Sequence, residues 1–259
     1  MTDTPTRSAV VVGGASGIGA EISRSLAAHG YAITIADRDL AGSEGLAGEI
    51  GGDARAARVD VTDEASVAAA LTEARDRADR LDLVVNCAGV NVLGLVTDLP
   101  VEKFRRVLDV CLTGAFVVIK HAGRTLSPGG SVISLTSLNA RQPGVGMSAY
   151  CSAKAGLSML TGVAALELGA SDIRVNAIAP GLVRTPLTSA ALDVPGVERE
   201  YLENIPLGRP GTTDEIAEAV LYLAGARWLT GEVLDLNGGA HLMRGANVHA
   251  QFEKAGNSV

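Results

Sequence analysis

The chain has 259 residues, 47% of them hydrophobic and 20% charged, which is enough apolar sequence for one large α/β domain. The formal net charge is −7 and no run of Lys or Arg forms a stripe, so nucleic acid or an anionic membrane surface is not an expected partner. No apolar run approaches the ~20 residues that cross a bilayer. The first residues lack a secretory pattern, so we expect a cytoplasmic protein with a small-molecule partner.

Cysteine and histidine usage argues against a disulfide framework and against a zinc site. Cys87, Cys111 and Cys151 are odd in number and show no Cys-x-x-Cys spacing. The four histidines have no His or carboxylate companions at metal-ligand spacing. We therefore expect reduced cysteines that serve as packing residues, and no catalytic metal.

Short runs rich in Val and Ile alternate with longer helix-like stretches, a pattern typical of a parallel sheet covered on both faces. The expected fold class is therefore α/β, with a doubly wound parallel sheet in a single domain over residues 1–259. Seven strands are predicted, at residues 9–12, 32–36, 55–59, 83–86, 131–137, 174–178 and 233–236. Helices are predicted at residues 18–29, 62–79, 100–126 and 148–168, and another begins near Thr212.

Two segments fit this alternation poorly. A long excursion follows the sixth strand, and residues 187–210 stand where a lid over a substrate would lie. Residues 243–259 form a tail without strong periodicity, which is either a frayed terminus or a segment that reaches a neighbouring subunit.

A glycine-rich turn joins the first strand to the first helix. Val10-Val11-Val12 leads into Gly13-x-x-x-Gly17-x-Gly19. Without a Cβ, these positions allow unusual dihedrals and let the backbone approach a pyrophosphate at the positive end of the helix. The strand before and the helix after the turn favour dinucleotide binding over a merely tight connection.

Polar and small residues follow the next three strands. Asp37, at the end of the second, can accept hydrogen bonds from ribose hydroxyls and would repel a 2′-phosphate, which favours NAD over NADP. The adjacent Arg38 instead favours NADP, since a guanidinium can bind the 2′-phosphate. Asp60-Val61 is placed to contact adenine, and Asn86-Cys87-Ala88-Gly89 puts small residues where a ribose would pass.

Tyr150 and Lys154 are four positions apart on the helix predicted at residues 148–168, so both side chains share a face. A fixed ammonium beside a phenol stabilises the phenolate and makes the phenol a useful acid and base. The chain has 18 Arg and only 4 Lys, yet it has a lysine here, and the two cations are not equivalent at a tight site. With Ser137 upstream, the pattern indicates a nicotinamide-dependent oxidoreductase.

These ordered motifs resemble the short-chain dehydrogenase/reductase family from about residue 7 to about residue 243. The resemblance implies a Rossmann-type sheet with strand order 3-2-1-4-5-6-7, a cofactor across the carboxyl ends of the strands, and a homotetramer or homodimer. It also implies a segment from Pro180 to Thr185 that holds the nicotinamide carboxamide. The cofactor contacts that we expect are Gly13, Ser16, Gly17, Ile18, Gly19, Asp37, Asp60, Val61, Asn86, Ala88, Gly89, Tyr150, Lys154, Pro180, Gly181, Val183 and Thr185.

The same resemblance implies the chemistry. Ser137 binds the substrate oxygen, Tyr150 moves the proton, and Lys154 stabilises the phenolate and holds the nicotinamide ribose. One position departs from the family, because Cys111-Leu112-Thr113-Gly114 stands where an Asn-Leu-x-Gly motif is usual. Cys111 is either a tolerated replacement at this fourth catalytic position, the mark of an impaired or altered enzyme, or a thiol with its own role. We favour tolerance.

The expected substrate-lining residues are Asn91, Leu138, Asn139, Met147 and Leu187, a mainly apolar set. They favour a neutral or weakly polar secondary alcohol, such as a cyclic, steroid-like or polyol compound, in an NAD-dependent reaction. Arg141 is either a solvated loop residue or a site for an anionic substrate.

The rival functions are a 3-oxoacyl-thioester reductase and a non-catalytic NAD-binding regulator. Asp37 argues against the first, because such reductases usually prefer NADPH, and the retained Ser137, Tyr150 and Lys154 argue against the second. Self-association is expected through the helices predicted at residues 100–126 and 148–168.

Overall fold

The protein forms one parallel sheet with helices on both faces. The structure is a computed structural model that describes residues 7–242, with only the backbone of Ala190 and Ala191. The sheet has seven strands in the order β3-β2-β1-β4-β5-β6-β7, which confirms the predicted fold class and strand order. The expectations for the tail at residues 243–259 lie outside the described residues.

The strands are β1 (Arg7–Val12), β2 (Tyr31–Asp37), β3 (Arg55–Arg58), β4 (Leu83–Asn86), β5 (Ser131–Leu135), β6 (Arg174–Pro180) and β7 (Val233–Leu236). The helices are α1 (Gly17–Ala28), α2 (Leu40–Ile50), α3 (Glu64–Ala78), α4 (Val101–Leu108), α5 (Gly114–Thr125), α6 (Ser148–Leu168), α7 (Pro186–Leu192), α8 (Val197–Glu203) and α9 (Thr213–Gly225).

Alternation along the strands divides the core into two layers. Val10 and Val12 of β1 pack on the face covered by α3, α5 and α6. Ala9 and Val11 pack on the opposite face, against α1 and α9. Because both faces of β1 are apolar, the strand is a continuous hydrophobic run rather than an alternating one, as the sequence indicated.

The stretch predicted as one helix at residues 100–126 is interrupted. A π-helical turn, Asp109–Thr113, separates α4 from α5 and contains Cys111. Periodicity did not reveal it, because a π turn adds a single residue to a stretch that remains helical throughout. The position at which the chain departs from the family motif is therefore also a local irregularity of the backbone.

Several element ends differ from the sequence prediction. β5 ends at Leu135 instead of residue 137, so Ser137 lies beyond the strand and begins a 3-10 turn, Leu138–Ala140. α3 begins at Glu64 instead of residue 62, because Asp63 is its N-cap residue and accepts a hydrogen bond from the Ala65 amide. By contrast, α6 spans the predicted residues 148–168. The region expected to form a lid contains the short helices α7 and α8.

Over residues 7–242, no helix combines the length and apolar character needed to span a bilayer. The same residues hold no group of three or more His, Cys, Asp or Glu side chains that could ligate a metal.

Candidate active site

A cleft of about 250 Å³ opens along the carboxyl ends of the strands. Strand order reverses direction between β1 and β4, and ligands of open α/β sheets bind at such a switch point. The predicted cofactor residues that line this cleft are Gly13, Ser16, Gly17, Ile18, Gly19, Asp37, Asp60, Val61, Ala88, Gly89 and Thr185. Residues from many parts of the sequence thus meet in one cavity.

The glycine turn is packed too closely to admit side chains. Gly13 has φ +73°, and a Cβ there would lie 2.7 Å from the Ala88 amide nitrogen. A Cβ at Gly19 would lie 2.0 Å from the Gly13 carbonyl oxygen. The N-cap residue of α1, Ser16, makes no side-chain capping bond. The first amides of α1 therefore remain available to an anion in the cleft.

Asp37 is fixed at the edge of the glycine turn. Its Oδ2 accepts a hydrogen bond from the Ala15 amide at 3.1 Å, and its Oδ1 accepts one from the Asp39 amide at 3.0 Å. Each carboxylate oxygen has a second lone pair, so the carboxylate can still accept from hydroxyl donors. Arg38 also lines the cleft.

Asp60 and Asn86 hold the loops after β3 and β4. The Asp60 Oδ1 accepts from the Thr62 hydroxyl at 2.7 Å and from the Thr62 amide at 2.9 Å. These bonds lower the pKa of the Asp60 carboxyl. Asn86 is buried beside the cleft, and its Oδ1 accepts from the Ala88 amide at 3.2 Å. Asn86 does not line the cleft itself but fixes the backbone of Ala88, which does.

Tyr150 and Lys154 lie on one face of α6, as their spacing predicts. The Lys154 Nζ is 5.6 Å from the centroid of the Tyr150 ring. Lys154 is only 3% exposed, and its ammonium donates to the Leu135 carbonyl at 2.7 Å. A Cβ placed on Gly89 would lie 3.7 Å from the same Nζ. A buried cation thus adjoins both a phenol and the cleft wall.

Ser137 is buried at the start of the 3-10 turn that follows β5. Its Oγ accepts a hydrogen bond from the Asn139 amide at 3.1 Å. The hydroxyl hydrogen is therefore directed away from this amide and can be donated to another group.

Cys111 is fully buried in the π-helical turn. Its Sγ lies 3.3 Å from both the amide nitrogen and the carbonyl oxygen of Val90. A thiol can donate and accept at once, although weakly. The side chain therefore ties the helix irregularity to the loop that follows β4. A Cβ on Gly89 would lie 3.9 Å from this sulfur, so Cys111 is close to the Lys154 environment.

Within the segment from Pro180 to Thr185, Thr185 lines the cleft, whereas Pro180, Gly181 and Val183, also expected as cofactor contacts, do not. Val183 is buried and its carbonyl accepts from the Thr188 hydroxyl at 2.7 Å. A Cβ on Gly181 would lie 2.8 Å from the Asn237 Cβ. Thr185 in turn faces the glycine turn, since a Cβ on Gly17 would lie 3.3 Å from the Thr185 Cβ.

The five expected substrate-lining residues do not all reach this cleft. Leu187 lines it. Leu138 packs with Leu192 of α7 and its neighbours, and the Asn139 amide group donates to the Gln142 carbonyl at 3.0 Å. Met147 pairs with Gly94 through an isolated β-bridge. The Asn91 Oδ1 is buried and has no hydrogen-bond partner among residues 7–242.

Sequence reasoning missed several apolar residues of the cleft: Val12, Val59, Val90, Val110, Leu135 and Pro186. Many of them end a strand or follow one directly, and that position is the signal that could have found them. Sequence reasoning did place Cys87 in the cleft. Burial raises the pKa of the Cys87 thiol to about 12, so Cys87 stays a neutral packing residue near physiological pH.

This sheet and cleft define a dinucleotide-binding α/β protein. Comparison with known sequences narrows the class. Residues 13–241 match a family model described as enoyl-(acyl carrier protein) reductase. A human 3-oxoacyl-[acyl-carrier-protein] reductase is 35% identical over 236 residues, covering 90% of this chain and 97% of the relative. A trans-4-hydroxycyclohexanecarboxylate dehydrogenase from Sinomonas cyclohexanicum is 36% identical over 243 residues, covering 89% of this chain and 91% of that relative.

A solved structure of a short-chain type dehydrogenase/reductase from Mycobacterium ulcerans superimposes with a TM-score of 0.89 at 34% identity, covering 96% of this chain and 94% of the other. The chain spans about half of another relative, an uncharacterized short-chain type dehydrogenase/reductase from Sinorhizobium fredii, at 37% identity and 47% of that protein's length. The chain belongs to the short-chain dehydrogenase/reductase family and is an oxidoreductase of the type that uses NAD or NADP.

Proposed function

We propose that the protein is an NAD-dependent dehydrogenase or reductase that interconverts a secondary alcohol and a ketone. The observation that carries this proposal is the buried Lys154 ammonium, which adjoins the Tyr150 ring, the cleft residue Leu135 and the Gly89 wall. Burying a charged group costs free energy unless an opposite charge or hydrogen bonds compensate for it. A Tyr150 phenolate would be the counter-ion of this ammonium.

The cleft fits a dinucleotide on its own features. Side chains are excluded at Gly13 and Gly19, the amides of α1 are open, and a carboxylate stands beside the turn. When bound, NAD supplies the hydride acceptor, and NADH the donor, for the carbon that bears the substrate oxygen. We assign the pyrophosphate to the glycine turn and the adenosine ribose to Asp37.

The chain's own residues would then handle the oxygen and the proton. Ser137 donates its hydroxyl hydrogen to the substrate oxygen and so fixes its position. Tyr150 accepts the hydroxyl proton during oxidation and returns it during reduction. Lys154 stabilises the phenolate, and the donors not used by Leu135 can hold the nicotinamide ribose. Cys111 supports the neighbouring loop.

NAD is the cofactor that we propose, because the Asp37 carboxylate would lie close to a 2′-phosphate and repel it. Arg38 also lines the cleft, and its guanidinium would favour a phosphate there, so the assay below includes NADP(H). The lid that we propose over residues 187–210 includes α8, and an Arg184–Glu198 ion pair with an Nη2 to Oε1 distance of 2.5 Å joins it to the nicotinamide segment.

For the substrate we propose a neutral or weakly polar secondary alcohol on a ring, or a steroid-like or polyol compound. The similarity to a hydroxycyclohexanecarboxylate dehydrogenase supports a cyclic alcohol. The second candidate is a 3-oxoacyl-thioester reductase, which the human relative supports. A non-catalytic NAD-binding regulator is the least supported, because the chain has Ser137, and Tyr150 and Lys154 share one face of α6.

We also propose a homodimer or homotetramer in the cytoplasm. α5 and α6 expose Phe116, Met159, Val163 and Leu166, an apolar surface that a second copy could cover. Cys87, Cys111 and Cys151 are free thiols, which suits a reducing compartment.

The test is a panel of secondary alcohols and ketones, including 3-oxoacyl thioesters, assayed with NAD(H) and NADP(H) through the absorbance of the reduced nicotinamide. We expect turnover of a cyclic alcohol with an NAD preference of about tenfold or more in kcat/KM, or ~1.4 kcal/mol. Tyr150→Phe should abolish turnover while the reduced cofactor still binds. A clear NADPH preference with an oxoacyl thioester would select the second candidate, and cofactor binding without any turnover would select the regulator.

A further inference from the structure

An ion pair outside the cleft joins the last strand to the turn that carries Ser137. The Arg141 guanidinium contacts the Asp235 carboxylate, and Asp235 lies on β7 near its carboxyl end. The Asp235 side chain is 18% exposed and the Arg141 side chain 57% exposed. The carboxylate is thus largely buried, and it would lose a charged partner if Arg141 were removed. Arg141 is therefore an ion-pair partner of Asp235, and more than half of its side chain remains in contact with solvent.

The turn between Ser137 and Arg141 is closed by its own hydrogen bonds. The Arg141 and Gln142 amides both donate to the Leu138 carbonyl, at 3.1 and 3.0 Å. The Asn139 amide donates to the Ser137 Oγ, and its side chain donates to the Gln142 carbonyl. Because these bonds link the turn from end to end, a constraint on Arg141 is passed to the Ser137 hydroxyl.

Asp235, the other residue of the ion pair, is held in place by the sheet. Asp235 is in register with Ala179 of the neighbouring strand β6. Directly after β7, the Gly238 carbonyl accepts from the Leu207 amide at 3.2 Å, and Gly239 packs against Pro206, so the end of the lid region rests on the same loop. β7 is therefore a fixed support that adjoins both the lid and the turn.

We propose that Asp235 is a positioning residue that fixes the Ser137 hydroxyl by holding Arg141. This inference rests on the proposed function for its effect on turnover, but its structural part does not. Neither residue lines the cofactor cleft, so their loss should weaken alignment of the substrate oxygen and leave cofactor binding intact.

The test compares Asp235→Asn, Arg141→Ala and the double variant with the wild type. Hydrogen–deuterium exchange of the peptide covering residues 136–143 should be faster in all three, since the turn loses its anchor. With the substrate found in the panel, kcat should fall about tenfold in each single variant, or ~1.4 kcal/mol. The double variant should fall no further, because both changes break one contact. The dissociation constant for NADH should stay within twofold.

Two controls separate positioning from general damage. Arg24→Ala breaks an ion pair with Glu49 that joins α1 and α2, at N–O distances of 2.8 and 3.0 Å, and should leave exchange at residues 136–143 and kcat unchanged. Arg141→Lys retains the charge and should restore part of the lost kcat.

Wild-type exchange at residues 136–143 in Asp235→Asn would overturn the inference even if no substrate had been found. Faster exchange over the whole chain would also overturn it, since Asp235 would then support the fold and not this turn. A wild type that binds NADH but turns nothing over would refute the proposed function, while the exchange measurement would still decide the positioning role.

Discussion

At the scale of the residue, Cys111 stands where the family resemblance implies an asparagine, and its thiol contacts the backbone of Val90. Its thiol meets both the amide and the carbonyl of Val90 in a fully buried site. Hydrogen bonds of a thiol are weak, but an unpaired buried amide and carbonyl would cost more than the bonds themselves provide. This geometry supports the interpretation of Cys111 as a tolerated replacement.

We expect Cys111→Ala to lower the free energy of unfolding by about 1–2 kcal/mol, because Val90 loses both contacts and a small cavity forms. Cys111→Ser, which can also donate and accept, should lose less. Both can be measured by urea denaturation at a fixed protein concentration.

The asparagine variant tests function at the same position. Cys111→Asn should change kcat by less than about threefold, or ~0.7 kcal/mol, if the thiol is tolerated. A rise of about a hundredfold, or ~2.7 kcal/mol, would instead identify the natural chain as an impaired or altered enzyme. Single-turnover kinetics are the suitable measurement, since product release can hide a change in the chemical step.

At the scale of the element, the start of α9 depends on one carboxylate. The Glu215 Oε2 accepts from the Thr212 amide at 2.8 Å, and its Oε1 accepts from Arg209 at 2.5 Å. The bond from Arg209 is the largest cause that lowers the Glu215 pKa, to about 2. α9 packs on the sheet face opposite α6, so this cap fixes the chain where it leaves the lid region and re-enters the core.

Glu215→Ala should therefore destabilise the protein at neutral pH by about 1 kcal/mol, the usual value of a helix cap. The folded pKa lies below the unfolded value of ~4.3. The stabilisation is thus complete above ~pH 5 and is lost as the pH falls toward 2. Urea denaturation should show that the difference in free energy of unfolding between Glu215→Ala and the wild type is smaller at pH 3.5 than at pH 7. Glu218→Ala, an exposed change on the same helix, should leave the free energy of unfolding unchanged at both pH values. An equal difference for Glu215→Ala at both pH values would contradict the role of the Glu215 carboxylate as the cap.

At the scale of the whole molecule, the exposed apolar surface of α5 and α6 argues for self-association. Met159 is 72% exposed and Leu166 is 86% exposed. They are spaced so that both lie on one side of α6 with Val163 between them. The two helices pack together closely, since a Cβ on Gly123 of α5 would lie 2.8 Å from the Leu168 Cδ2.

We expect light scattering after size-exclusion chromatography to give a dimer or tetramer for the wild type. Met159→Glu with Leu166→Glu should reduce the assembly by at least twofold in mass, because two charges would be buried in an apolar contact. The matched control is Val96→Glu, at a position that is 82% exposed in the loop after β4, and it should leave the mass of the assembly unchanged. A monomeric wild type at micromolar concentration would contradict the proposal.

Much of this protein follows from local sequence. The alternation of apolar runs with helices predicts the α/β sheet, and the glycines after β1 predict the tight turn, since only residues without a Cβ fit it. The spacing of Tyr150 and Lys154 places both on one face of α6, because helix geometry alone decides which side chains are neighbours.

Other features depend on contacts between distant parts of the chain, which no local pattern encodes. The π-helical turn at Cys111 is tied to Val90, and Arg141 is paired with Asp235 on the far strand. Asn139 and Leu138, which we expect to line the substrate region, contact the Gln142 carbonyl and the apolar cluster that contains Leu192 of α7. A side chain's direction in a loop is set by whichever partner the completed fold brings within reach. Sequence therefore determined the scaffold and the shared helix face of Tyr150 and Lys154, and only tertiary packing decided how the surrounding loops are anchored.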